Sequence, residues 1–166
     1  MGQDESNLTK VEYLPAYEKH LKKIPDSPED IWDRCYKKNC NQEIKIIFLS
    51  LFKHLEEANN LHSKYDILNS KKAIEEKIIF FAKELGNENA SQIVYLKKNK
   101  GKFEKMCEDI AKISFEAKPS QIYEKFLNYN FFQINNEIIS DLVYRLCMIR
   151  QNQVLPLNII EIEDLP

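Results

Sequence analysis

The sequence predicts an all-α fold: a single compact bundle of about six to eight helices followed by an extended C-terminal tail. Three observations predict it. Apolar residues recur three and four apart through most of the 166 residues. Helix-starting and helix-stopping residues punctuate these runs. Only 3 glycines are present, where doubly wound and barrel folds draw on more for tight turns and phosphate loops. A chain of this length buries roughly 70% of its unfolded surface, so neither a metal nor disulfides are needed for folding.

The elements follow in order. Residues 1–12 are polar and read as a flexible N-terminal tail. A short helix is expected from Pro15 to Lys23, with Leu14, Tyr17 and Leu21 inward and Pro25 ending it. Ser27-Pro28-Glu29-Asp30 has the form of a helix start: a hydroxyl cap, proline in the first turn, and acids at the positive end of the dipole. The helix it opens carries Ile31, Trp32, Cys35 and Tyr36. A longer helix over about 42–62 places Ile44, Ile47, Phe48, Leu51, Leu55 and His62 on one face. The next, about 71–85, starts at Asn69 or Ser70 and stops at Gly86. Two helices, Ala90–Lys100 and Lys102–Ala117, are expected to be separated or bent at Gly101. Pro119-Ser120 opens another, and a turn over 128–136 holds Phe131, Phe132 and Ile134. The last helix, about 136–150, carries Ile138, Ile139, Leu142, Val143, Leu146 and Ile149. Beyond it, two prolines and the alternation Ile160-Glu161-Ile162-Glu163 argue for extended chain. The bundle is thus assigned to 13–150 and the extended segment to 151–166.

Two runs stand out. Ile78-Ile79-Phe80-Phe81-Ala82 and Ile46-Ile47-Phe48-Leu49 break the one-stripe pattern of an ordinary surface helix. Helices with apolar backs need cover on more than one side, from their own domain or from another molecule.

Composition bounds the function. The net charge is −2 with both signs abundant, so no global field argues for nucleic acid or an anionic membrane. Lysine outnumbers arginine 21 to 3, which reads as the codon bias of an AT-rich genome and lowers the weight of lysine clusters. The three arginines each have a structural reading. Arg34 and Arg145 follow Asp30 and Asp141 by four residues as helix-face pairs, worth a few tenths of a kcal/mol each. Arg150 suits the end of the last helix. No secretory signal and no apolar stretch of roughly 20 residues is read, so a reducing, cytoplasmic setting (or delivery into a host cytosol) and free thiols are expected. Two glycosylation sequons, at Asn7 and Asn89, carry little weight without secretion. The start Met1-Gly2-Gln3-Asp4-Glu5-Ser6 fits the loose myristoylation pattern, but Asp4 and Glu5 would be repelled by an anionic surface; a membrane role is not expected.

Motifs that carry chemistry are weak. Cys35, Cys40, His54 and His62 lack the tight pairing that zinc ligands usually show, so no metal is expected. Cysteine, histidine and acids occur without a nucleophile elbow or local Cys/His signature. There is no P-loop or GxGxxG, so no cofactor is expected. Glu56-Glu57, Glu75-Glu76 and Glu29-Asp30-Asp33 read as solvated charge. No catalytic residue is assigned.

Two features point to binding. The aromatic turn with Phe131 and Phe132, and the tail residues Leu157, Ile160 and Ile162, are poorly explained by one helical core and read as anchors for a protein partner or a second copy. The block Lys97, Lys98, Lys100, Lys102 and Lys105, with Phe103 available for stacking, is where nucleic acid would bind. The sequence therefore predicts a non-catalytic interaction module of the adaptor, inhibitor, immunity or effector kind that grips a partner through an apolar surface. The alternative is a small helical subunit of a nucleic-acid-binding complex.

Overall fold

A computed structural model describes residues 27–112, 118–152 and 155–157. Among them are seven helices and no strand: α1 (Pro28–Cys35), α2 (Gln42–Tyr65), α3 (Lys71–Glu84), α4 (Ala90–Val94), α5 (Lys97–Ala111), α6 (Pro119–Tyr129) and α7 (Asn136–Asn152). The expected all-α bundle is what the chain forms. The expected helix over 15–23 and the tail residues Ile160 and Ile162 lie outside the described residues.

Local chemistry sets most helix ends. At α1 the Ser27 Oγ accepts from the Asp30 N–H at 3.1 Å and Asp30 accepts from the Ser27 N–H at 3.2 Å, a complete capping box. Asn41 caps α2 through the Ile44 N–H at 3.1 Å, and Ser70 caps α3 through the Ala73 N–H at 3.1 Å. Left-handed residues close α2 at Asp66 and α6 at Asn130.

The main departures from the expected boundaries are at the two ends of α5, which stops at Ala111, short of the expected Ala117, with Lys112 extended. The chain breaks at Tyr95-Leu96 rather than at Gly101, which sits inside α5. The Asn99 amide donates to the Ile93 carbonyl at 2.8 Å, and the Leu96 carbonyl accepts from both the Asn99 and Lys100 N–H groups. This side-chain stitch fixes the corner. A glycine in a helix interior costs only about 1 kcal/mol against alanine, too little to break a helix whose apolar face is buried.

Helix α7 is the axis of the molecule. It packs against α2, α3, α5 and α6, and every residue from Ile138 to Gln151 is buried. Around it lie the aromatic cluster of Trp32, Tyr36, Phe48 and Phe52, with the Trp32 and Phe48 rings 5.6 Å apart, and the ring set Phe103, Phe126, Phe131 and Phe132.

Encasing a helix with this sequence buries charge. Arg145 is fully enclosed; its Nε donates to Asp141 Oδ1 at 2.5 Å and its other donor reaches the Pro156 carbonyl at 2.7 Å. The Tyr36 hydroxyl donates to the second Asp141 oxygen, and the guanidinium lies 5.2 Å from the Phe52 ring centre. Burial, then Asp141, drive the Tyr36 phenol well above its ordinary value. Burial is the largest single influence on Arg145 and acts downward, but Asp141, Tyr36 and Tyr144 together outweigh it and the net shift is upward. The Asp141–Arg145 pair is therefore no surface decoration, as its spacing implied, but a buried network tying α1, α7 and residues 155–157 together. Arg150 is likewise buried, donating to the Ala111 carbonyl at 2.7 Å and to Asp66 at 2.6 Å.

The two apolar runs are covered mainly by the domain itself. Ile78, Phe81 and Ala82 face the core between α5 and α7, while Ile79 and Phe80 are half-buried, with Phe80 edge-on to His54 at 4.9 Å. In the earlier run Phe48 is core, Ile47 and Leu49 are half-buried, and Ile46 stays 65% exposed.

Candidate functional site

Among the described residues a cleft of about 580 Å³ is built from three connections: the loop Gly86–Asn89, the α4–α5 corner, and the turn Tyr129–Ile134. Asparagine side chains pin its backbone. Asn87 donates to the Ile134 carbonyl at 2.8 Å and to the Ala82 carbonyl at 3.2 Å, and its amide oxygen accepts from the Ile134 N–H at 3.3 Å. Asn135 donates to the Leu85 carbonyl at 2.9 Å. Gly86 stands at φ 109°, and a Cβ there would come within 3.1 Å of Ile134 Cγ2, so both its dihedral and its neighbour require glycine.

Upon this frame the cleft presents mixed chemistry. Leu96 and Ile134, each 48% exposed, are part of its lining. The floor includes an edge of Phe131, whose ring is braced by Phe103, Phe126 and Tyr129 at 5.8, 5.5 and 5.4 Å. Lys98 and Lys102 line one wall, with Lys102 Nζ 5.0 Å from the centre of the Tyr129 ring. Glu88 is the acid among the lining residues.

The structure brings the two sequence-level features together and corrects both. Phe132 is fully buried and Phe131 nearly so; the turn folds inward because its rings complete the α5–α6–α7 core, so neither is an exposed anchor and only an edge of Phe131 meets the cleft. Leu157 is half-buried against the core beside Leu155. Ile160 and Ile162 lie outside the described residues. All five lysines are exposed, but Phe103 is fully buried, edge-on to Tyr95, and offers no face for stacking. A rise of about 100° per residue puts Lys98, Lys102 and Lys105 on one stripe, with Lys97 and Lys100 turned away. Lys105 is paired with Asp109 at 3.1 Å.

The remaining candidates do not assemble into a site. Among the described residues no three of His, Cys, Asp and Glu come together in a metal-binding group. His62 is buried, facing Asp66 at 3.6 Å, and burial followed by the Arg150 charge lowers its pKa. Glu75 is not solvated as expected: it is buried, accepts from the Tyr95 hydroxyl at 2.6 Å, and lies 3.4 Å from Lys71. Burial pushes the Cys107 and Cys147 thiols up, away from the thiolate a nucleophile needs. All four cysteines are free.

Sequence reasoning missed Leu96, Asn87, Asn99 and Gly86 as parts of a site. The single available signal was Gly86 itself, read only as a helix stop. No helix among the described residues is long and apolar enough to cross a membrane. No family model matches this chain, and no curated protein or solved structure matches it.

Proposed function

We propose that this protein is a non-catalytic interaction module, working in a cytosol, that takes a segment of a protein partner into the cleft between Leu96 and Ile134. One observation carries this reading: two large apolar side chains stand half-exposed in the lining of one concavity, on backbone that asparagine bonds hold fixed. Exposed single apolar residues are ordinary. A pair lining a rigid, ring-floored cleft has the form of an anchor pocket, because little ordering is left to oppose binding. An adaptor, an inhibitor or immunity-like protein and a delivered effector would all use such a surface.

The test is affinity capture from native lysate with the wild-type chain and with Leu96→Asp and Ile134→Asp. Leu96 is the N-cap of α5, where aspartate is favoured, so the first variant keeps its helix. The expected result is a protein captured by wild type, retained after nuclease, and lost from both variants while helical circular dichroism stays unchanged. Capture indifferent to both substitutions refutes the cleft as the binding face. The nucleic-acid alternative now rests on Lys98, Lys102 and Tyr129 in place of Phe103, and nuclease-sensitive capture would favour it.

A further inference from the structure

Resting on that reading of the cleft, the charge arrangement says what kind of segment it takes. Helix α5 opens with Lys97 and Lys98, then Lys100 and Lys102, with no acid in its first turn and no side-chain cap on its free N–H groups. A helix N-terminus carries partial positive charge and ordinarily attracts Asp and Glu. Here cations are stacked on a cationic end, four residues apart at Lys98 and Lys102, where like charges repel. Lys98 and Lys102 are exposed, and the Tyr129 ring beneath Lys102 offsets only part of this repulsion. The arrangement opposes the stability of the free protein and favours an anion in the adjoining cleft. Against the two lysines and the helix end, Glu88 is the single acid among the lining residues.

We infer that the occupant is an acidic stretch of a partner protein, placing a carboxylate between Lys98 and Lys102 and an adjacent apolar side chain between Leu96 and Ile134. The same geometry disfavours a nucleic-acid strand. A phosphate backbone is held by a continuous cation track, whereas the stripe is neutralised beyond Lys102 by the Lys105–Asp109 pair and Glu88 shares the cleft lining.

A random dodecapeptide library displayed on phage, panned on the full chain, tests this. Enriched peptides rich in Asp and Glu beside Leu, Ile or Phe are expected. Their affinity should fall at least tenfold in Lys98→Glu/Lys102→Glu and fall with added salt. The melting temperature of Lys98→Glu should rise, because it places an acid at the helix start and an opposite charge before Lys102. Loss of binding with gain of stability separates a binding role from a structural one. Enriched peptides that need Ile134 but carry no acids and ignore the lysines would overturn this inference and leave the cleft reading standing. Peptides indifferent to Leu96 and Ile134 would overturn both. A single-stranded oligonucleotide that binds more tightly than the selected peptides and displaces them would overturn the acidic-peptide assignment in favour of nucleic acid.

Discussion

Removing either partner of the buried Asp141–Arg145 pair should be among the most damaging single changes available. Arg145 is fully enclosed and Asp141 is 3% exposed, so removing either takes a buried, directly bonded charge from the other. Breaking such a pair costs about 3–5 kcal/mol. Asp141→Leu also leaves the Tyr36 hydroxyl without its acceptor, and Arg145→Met leaves the Pro156 carbonyl without its donor, adding about 1–3 kcal/mol in each case. Either loss is a large share of the roughly 5–15 kcal/mol a domain possesses. With a urea slope of about 2 kcal/mol/M, each single variant should lower the unfolding midpoint by about 2–4 M or fail to fold. The double variant removes both charges and leaves only the two neutral orphans. Its cost should fall short of the sum of the singles by at least about 3 kcal/mol. Urea titrations followed by far-UV circular dichroism measure all three. Single-variant costs under about 1 kcal/mol, the usual worth of an exposed pair, or strict additivity in the double, would refute the claim that this network is sealed from water.

Other outcomes follow from named positions. Gly101 has an ordinary helical backbone and its added Cβ meets nothing within 4 Å, so Gly101→Ala should stabilise by about 0.5–1 kcal/mol, read as a melting temperature a few degrees higher. Gly86→Ala should instead destabilise by about 1–3 kcal/mol, because of its positive φ and the Ile134 contact, and should weaken partner capture with it. His62 titrates lower in the folded chain than in the unfolded one because of burial and then Arg150, with Asp66 opposing. The unfolded state therefore takes up a proton first as pH falls below about 6.5. Stability is fully present above that pH and is lost toward pH 5, with a slope of up to about 1.4 kcal/mol per pH unit. His62→Gln should flatten this portion of a urea-midpoint profile measured from pH 7.5 to 5; an unchanged slope would show that other groups cause it.

Much of the fold was legible because helix starts and stops are local. The Ser27–Asp30 box, the caps at Asn41 and Ser70, Pro119 at a first turn and Gly86 past a helix end each act through atoms a few residues away. The displaced start of α5, Gly101 against Leu96, turned on Asn99 reaching back six residues to Ile93, which propensity does not register. The site was only half legible. Lys98, Lys102 and the aromatic turn were visible as separate features, but the cleft joins residues 86–89, 93–102 and 129–134, and its clamp spans 47 positions from Asn87 to Ile134.

The sequence by itself determined that the chain is helical, where most helices begin and end, and which stripes are apolar, because capping and periodicity act within a single turn or element. The tertiary structure alone decided which helix is the axis, since a pattern shows which face is greasy and not how many neighbours surround it. For that reason Asp141 and Arg145 look like a surface pair until α1, α2 and residues 155–157 close over them, and Phe131 and Phe132 look like anchors until α5, α6 and α7 enclose them.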